Sequence, residues 1–315
     1  MKKTLVALSV LAASAGSAQA FEIYNQDGVT VNMGGDIEVV YLQKTEKDHD
    51  FQQEIQDADV KFDVRYAMND DLQFGGFFEL QDTGMNEGDA YVALYSDTIG
   101  SIKVGRTCTA LDDAGIGSDY QFGITTFFNG ADMYCGDEVV RWDLDKENFY
   151  ATVAFAQDKN GSTYVSEDGT YFDARVGYRV ASFDFTLLGG TGEAEDKSGT
   201  PAVITGTHDE TLLGAEARFN GVENLGLAAA VYTLDNETIK TTTFGLAATY
   251  QLDVVALAAG YSLSSDDVDA NDDINTWYVN AGYPIAPNTT AYVEVGGNDV
   301  TDSQTGFAMG VKAAF

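Results

Sequence analysis

The sequence predicts an all-β fold, a transmembrane antiparallel barrel of sixteen strands. Apolar and polar residues alternate with a period of two along short runs, and clusters of Gly, Asn, Asp and Ser separate these runs. The connections alternate between tight turns and long polar stretches, a pattern typical of barrels that cross an outer membrane. No helical periodicity and no domain boundary interrupts this rhythm after residue 20. The sequence therefore predicts one barrel over residues 21–315.

The predicted strands are about ten residues long, and their number is even, as membrane barrels require. They lie near residues 28–42, 57–68, 71–82, 88–96, 101–107, 138–144, 148–157, 170–179, 182–190, 209–219, 226–234, 242–251, 253–263, 274–283, 289–298 and 304–315. Tight turns are predicted at Asn69-Asp70, Asp145-Lys146-Glu147 and Ala181-Ser182. The long polar stretches are QKTEKDHDFQQEIQ, QDKNGSTYVSEDGT, TGEAEDKSGTPAVITGTHD and SSDDVDANDD.

The two faces of each strand differ in charge. In EVVRWDL, Val140, Trp142 and Leu144 alternate with a face that carries Arg141 and Asp143. A lipid-facing Arg or Lys costs about 2–4 kcal/mol at the bilayer midplane, so the charged face must be the inner one. Unpaired charge is also expensive in a dry interior, so the lumen must contain water, and lipid permits no open sheet edge. The alternative, a soluble β-sandwich, would tolerate the charges but does not explain the asymmetric connections.

Both ends of the chain carry a signal. Lys2 and Lys3 precede a short apolar run and an A-x-A sequence, which predicts a cleaved signal peptide over residues 1–20. The alternative, a membrane anchor, is disfavoured because the apolar run is too short to span a bilayer. Cleavage before Phe21 removes two lysines and changes the formal charge from -33 to -35. At the other end, the alternation continues to the last residue, Phe315.

Composition argues against several functions. A formal net charge of -33 argues against nucleic-acid binding, which depends on Lys and Arg. His49 and His208 are the only histidines, and neither lies near a recognisable nucleophile–base pattern, so the protein is predicted not to be an enzyme. No cofactor and no metal site is predicted. The acidic stretch DVDANDD lacks the glycine and the glutamate of a calcium loop, and it favours a solvated loop with weak divalent-cation binding left open.

One long stretch, between Arg106 and Glu138, breaks the alternation. A loop of about thirty residues is uncommon and usually functional. The only two cysteines, Cys108 and Cys135, lie near its ends, and in an exported chain one disulfide is expected. Two free thiols, or pairing between chains, are the alternatives, and a zinc site would lack its other ligands.

The strand rhythm, the terminal Phe315 and the segment SIKVGRTCTALDDAGIGSDYQFG resemble the trimeric general diffusion porins of the Gram-negative outer membrane. In that family a strand ending in Gly-Arg, here Gly105-Arg106, precedes a long loop that folds into the barrel. The resemblance implies a constriction loop over about residues 107–137 and a role for Phe315 in membrane assembly. It also implies contact with outer-membrane lipid and lipopolysaccharide, a homotrimer, and passive diffusion of ions and small hydrophilic solutes.

The resemblance further implies that loop acids face wall bases across the constriction. The acids would be Asp112, Asp113, Asp119 and Asp132, and the bases would be Lys61, Arg65, Arg106, Arg141 and Arg175. The chain departs from the family at Asp59, where an arginine is expected, and Arg106 has outward parity unless a bulge precedes it. Inward acids, including Asp173, Glu216 and Glu294, outnumber inward bases, which predicts cation preference. A substrate-specific channel, and a closed barrel acting as an adhesin or structural protein, remain alternatives.

Overall fold

The computed structural model describes residues 21–81, 88–126, 135–157, 169–198, 203–268 and 271–315. These residues form one antiparallel sheet of eighteen strands and a single 3-10 turn, Ala110–Asp113. The strands are β1 (Phe21–Gln26), β2 (Val29–Gly34), β3 (Asp36–Gln43), β4 (Gln52–Ala67), β5 (Leu72–Gln81), β6 (Ala90–Ser96), β7 (Gly100–Cys108), β8 (Cys135–Asp145), β9 (Phe149–Gln157), β10 (Thr170–Val180), β11 (Phe183–Ser198), β12 (Val203–Val222), β13 (Leu225–Asp235), β14 (Lys240–Leu252), β15 (Val255–Asp266), β16 (Ile274–Ala286), β17 (Thr289–Asn298) and β18 (Gly306–Ala314). Within these ranges, no helix has the length and apolarity needed to cross a membrane.

Sixteen wall strands close the sheet into a barrel. From β3 to β18 each strand pairs antiparallel with the next, and β18 pairs with β3. The short strand β2 also pairs with β4, so β2 and β3 are two halves of the first wall strand, which is interrupted at Gly35. All sixteen predicted strands are present, and the predicted closed sixteen-stranded barrel is confirmed.

The seam of the barrel contains a strand that the sequence pattern did not predict. β18 lies beside β3, and at its end Phe315 and Gly35 exchange two backbone hydrogen bonds of 2.9 Å. On the same edge, β1 pairs with β2 from Phe21 opposite Met33 to Gln26 opposite Val29. Both halves of the first wall strand are therefore hydrogen-bonded along this edge, as backbone groups within a membrane require.

The two ends of the barrel differ as predicted. At one end, every connection between wall strands is a turn of two to four residues. All four two-residue turns contain a left-handed residue, Ala181, Asn224, Asp253 or Asn288, with φ of 53°, 63°, 55° and 52°, which tight hairpins need. At the other end, six of the eight connections are longer, and the β11–β12 and β13–β14 connections have four residues each. The predicted long loop over residues 191–209 is wrong, however, because β11 continues to Ser198 and β12 begins at Val203, so most of that stretch is paired hairpin.

The faces of the strands follow the predicted assignment. Outward residues are apolar and exposed, for example Leu187 and Leu246, whose exposed fractions are 61% and 60%. Inward charged residues such as Arg141, Asp173 and Glu294 are buried. Their burial arises because an irregular segment, the residues that follow β7, packs against the inner wall. We call residues 109–126, the described part of this segment, the inward loop.

Candidate functional site: the inward loop and the lumen wall

The inward loop begins with the 3-10 turn, which is fixed to β10. The backbone N–H groups of Ala110 and Leu111 donate to the carboxylate of Asp173, each at 3.1 Å. The side chain of Leu111 is fully buried in a cluster that includes Leu188 and Leu212 on the inner wall. A charge-assisted hydrogen-bond pair and an apolar contact therefore hold the loop's first turn to the wall.

The next part of the loop runs along the wall toward β16. The N–H of Gly115 donates to Glu216 on β12 at 2.7 Å, and Arg218 donates to the carbonyl of Gly115 at 2.5 Å. The N–H of Ser118 donates to the hydroxyl of Tyr278 on β16 at 2.6 Å. The backbone of the loop is thus satisfied by wall side chains, as buried irregular backbone requires.

The tip of the loop is held by one carboxylate. Glu294 on β17 accepts the N–H groups of Tyr120, Gln121 and Phe122 at 2.6, 2.9 and 2.6 Å, and its own exposed fraction is 0%. The side chain of Gln121 donates to Glu38 on β3 at 2.9 Å. The tip therefore reaches the first wall strand, across the seam from β18.

The loop then returns along the same side of the barrel. The N–H of Thr125 donates to the hydroxyl of Ser262 at 2.9 Å, and its own hydroxyl lies 2.9 Å from that of Thr276. The contacts of the loop thus extend from β10 through β18 to β3, and the predicted inward fold of this loop is confirmed. Within the described residues, the hydrogen bonds of residues 114–126 that we describe reach only β3 and strands from β12 onward, so this part of the loop leaves the inner faces of β4 to β8 uncovered.

The wall under the loop is built from tyrosine and glycine. Five inward tyrosines each stand directly opposite a glycine of the neighbouring strand, where the ring occupies the space that a Cβ would need. The pairs are Tyr150 with Gly177, Tyr171 with Gly192, Tyr232 with Gly214, Tyr278 with Gly260 and Tyr292 with Gly310. The rings can therefore lie along the wall, and hydroxyls such as that of Tyr278 are available to the loop.

Two predicted wall bases contact a predicted loop acid directly. Arg141 donates to Asp113 at 2.5 Å, to Asp143 at 2.8 Å and to the carbonyl of Thr109 at 2.8 Å. Arg175 lies 3.2 Å from the same carboxylate of Asp113. The guanidinium of Arg141 is buried, with 9% of the side chain exposed. These residues fix the base of the loop; they do not face one another across open water as the opposed-row prediction requires.

Lys61 and Arg65 are paired within the wall. Lys61 lies 3.8 Å from Asp36 and 3.9 Å from Asp59, the position where the resemblance calls for an arginine. Arg65 forms a close ion pair with Asp63 at 2.8 Å. Both bases lie on β4, and acids of β3 and β4 neutralise them.

Arg106 lies at the rim of the barrel. The pairing of β7 with β8 shifts register between Gly105 and Thr107, so the bulge that its parity required is present. Its guanidinium donates to the carbonyl of Gly88 at 2.8 Å and to Asp137 at 3.3 Å. These contacts join β7 to the β5–β6 connection and to β8.

Two predicted loop acids, Asp112 and Asp119, are exposed to the lumen. The surrounding wall raises the pKa of Asp112, and the nearby charge of Asp113 raises it further. Partial burial also raises the pKa of Asp119, to which the charge of Glu294 contributes. Within the described residues, neither carboxylate forms a salt bridge with a base. Asp132 lies outside the described residues.

Cys108 and Cys135 form a disulfide. They stand directly opposite each other at the end of the β7–β8 ladder, so the bridge closes the base of the long loop. A bridge between residues separated by 27 positions restricts the unfolded chain, and it contributes about 3–4 kcal/mol when unfolded-chain entropy alone is counted.

Replacing both cysteines, Cys108→Ser with Cys135→Ser, is expected to lower stability but to leave the channel open to the same degree. The first turn of the loop is held independently by Asp173 and Arg141, so its position does not depend on the bridge. Thermal unfolding in detergent should shift downward, while single-channel conductance in planar bilayers should remain near the wild-type value. A large change in conductance would show instead that the disulfide positions the loop.

A closed barrel with apolar residues outside, charged residues inside and a loop folded against its inner wall is the architecture of a membrane channel protein. A family model described as Gram-negative porin matches residues 7–303. The chain belongs to the Gram-negative porin family. It is therefore an outer-membrane protein of the passive-diffusion class and not an enzyme, which confirms those predictions.

Related proteins align with nearly the whole chain. The porin-like protein H of Photobacterium profundum is 26% identical, covering 100% of both chains. A protein of Halomonas sp named monosaccharide porin is 26% identical over 97% of this chain and 84% of its own length. Among solved structures, the trimer form of OmpT from Vibrio cholerae has a TM-score of 0.75 at 18% identity, covering 92% of this chain and 100% of that one. This last likeness concerns the fold.

Proposed function

We propose that this porin forms a cation-preferring, homotrimeric channel for ions and small hydrophilic solutes. The observation that carries the cation preference is the state of the charged groups in the lumen. The wall bases Lys61, Arg65, Arg141 and Arg175 each contact an acid, whereas the loop acid Asp112 is exposed and forms no salt bridge within the described residues.

The overall charge supports the same direction. The chain has 50 acidic and 17 basic residues, a formal net charge of -33. A channel lined by one sign of charge concentrates counter-ions, because low-dielectric walls focus the field into the water. Once the paired bases are discounted, Asp112 and Asp119 are the charges that a passing ion meets on the loop.

Assembly and export are part of this proposal. The related OmpT fold of Vibrio cholerae is described in a trimer form, and this supports a homotrimer here. Outward apolar residues such as Leu187 and Leu246 suit contact with lipid or with a neighbouring subunit, and lipopolysaccharide would surround the loop end. Cleavage of residues 1–20 would be seen as a mature protein whose first residue is Phe21.

Asp112→Asn is expected to reduce cation preference by about twofold, because it removes an exposed loop charge from the narrowed part of the channel. Reversal potentials across a potassium chloride gradient measure the permeability ratio. Asp70→Asn is the matched control, since Asp70 is an exposed acid of a short turn away from the loop. Because the pKa of Asp112 is raised, its charge is lost as the pH falls, and the difference between wild type and variant should shrink in acid. Anion preference of the wild-type channel would reject the proposal.

A further inference from the structure

The inner wall at β5 and β6 carries three aromatic rings. Phe77 on β5 and Tyr91 on β6 are directly opposite each other in the ladder, and Tyr95 follows on the same face of β6. The same register places Asp63 opposite Phe77, and Asp63 belongs to the charged inner face of β4. We call Phe77, Tyr91 and Tyr95 the aromatic strip. It lies on the side of the barrel that residues 114–126 leave uncovered.

The strip lies at the height of the loop's base. Tyr91 is opposite Gly105, and the next pair on the same inner face is Ala93 with Lys103. Lys103 in turn is opposite Arg141, the residue that holds Asp113 of the loop. A solute that passes the start of the inward loop therefore passes the aromatic strip at the same level.

The rings are ordered against one another and bounded by charge. Phe77 and Tyr91 are stacked, with ring centroids 5.1 Å apart and planes within 10°. The guanidinium of Arg65 lies 4.0 Å from the centroid of Tyr95, and the ammonium of Lys103 lies 5.6 Å from that of Tyr91. These cations are themselves paired with Asp63 and Asp143. The result is an apolar strip with hydrogen-bonding groups along its borders.

The strip differs from the tyrosines under the loop. The hydroxyl of Tyr278 accepts the backbone N–H of Ser118, and the hydroxyl of Tyr292 accepts from the side chain of Gln121, so those two tyrosines have a structural role. Phe77, Tyr91 and Tyr95 are half-buried, and within the described part of the chain no hydrogen bond or ring contact joins them to the inward loop. Aromatic surface on an otherwise charged, water-filled wall is suited to contact with a solute.

We propose that the aromatic strip is a transient contact site for ring-form sugars, an inference that rests on the proposed channel function. A pyranose ring has apolar C–H faces and a rim of hydroxyls. The strip offers apolar surface to the former, while Asp63, Arg65 and Lys103 offer charged hydrogen-bonding groups to the latter. An open-chain polyol of the same size has the hydroxyls but no preformed apolar face. The site therefore distinguishes glucose from sorbitol.

The test uses the purified full-length porin in planar bilayers, with glucose or sorbitol added to potassium chloride. Glucose should reduce the ion current saturably, and sorbitol should do so only weakly. In the variant with Phe77→Ala and Tyr91→Ala, the half-blocking concentration of glucose should rise by about three- to tenfold, as expected for loss of an aromatic contact. Phe78→Ala is the matched control, because Phe78 is the outward neighbour on β5, with an exposed fraction of 48%. Glucose should block this variant with the same half-blocking concentration as the wild type.

A second variant, Phe77→Leu, keeps apolar volume but removes the ring, and it serves if the double alanine variant folds poorly. Equal block by glucose and sorbitol, or an unchanged half-blocking concentration in both variants, would overturn the proposal. Conductance without added solute tests the channel separately. A conducting porin that fails to distinguish the two solutes refutes only the sugar site, whereas a protein without conductance refutes the proposed channel.

Discussion

Glu294→Leu is expected to release the tip of the inward loop and to give a noisy channel of lower mean conductance. The carboxylate accepts three consecutive backbone N–H groups, those of Tyr120, Gln121 and Phe122. Leucine cannot accept them, and each buried orphan N–H costs about 1–3 kcal/mol. The nearest water that can satisfy these groups is in the lumen, so the tip should leave the wall and enter the passage. Mean single-channel conductance should fall to roughly half of the wild-type value, since the released segment moves into an otherwise open barrel.

The matched control is Glu79→Leu. Glu79 is also an inward glutamate of a wall strand, directly opposite Lys61 in the β4–β5 ladder. Unlike Glu294, it forms no hydrogen bond with the inward loop among the described residues. Current traces of both variants in planar bilayers, after confirmation of the folded barrel by heat-dependent mobility in detergent, measure the difference. A quiet wild-type current from the folded Glu294→Leu protein would show that the remaining contacts of the loop suffice.

The strands could be predicted from the sequence because their signal is local. Alternation with a period of two follows from the pleat, and hydrocarbon outside with water inside makes the two faces chemically different. In β8, for example, Val140 is 46% exposed on the outside while Arg141 is buried inside, as the pattern EVVRWDL predicted. The ends of the strands could be predicted less well. The sequence analysis interpreted the polar part of the β11–β12 hairpin as a loop, because polar residues alone do not show that two segments pair.

The path of the loop could not be predicted in this way. Asp173, Glu216 and Glu294 alternate like any inward acids, and the sequence analysis therefore counted them toward a negative lumen. Their exposed fractions are 0%, 3% and 0%, because loop backbone lies on each of them. Whether an inward carboxylate faces water or a loop depends on contacts between residues far apart in the chain.

The same limit applies to β1. Its sequence, FEIYNQ, is short and follows the predicted cleavage site, so it offers little alternation to recognise. Its position is set by the seam, where β18 ends at Phe315 and the β2 half of the first wall strand needs another partner. The need for β1 thus follows from barrel closure, which no local pattern encodes.

Gly35→Val is expected to prevent closure of the barrel, so that folded protein is almost absent. Gly35 lies between β2 and β3, and a Cβ at this position would overlap the carbonyl oxygen of Asp59 and lie 2.9 Å from the ring of Phe315. To relieve the clash, the first wall strand would have to move away from β4 or away from Phe315. The latter movement would break the two 2.9 Å hydrogen bonds between Gly35 and Phe315.

The comparison with Gly76→Val separates this clash from the general effect of placing valine in a strand. Gly76 lies on β5, and a Cβ there would meet only the carbonyl oxygen of Tyr91, at 3.8 Å. Refolding into detergent, followed by electrophoresis with and without heating, measures the folded fraction of each protein. Gly76→Val should refold like the wild type, because valine suits an outward strand position. Equal folded fractions for the two variants would show that the seam tolerates a side chain at position 35, and that Phe315 is not held there by close packing.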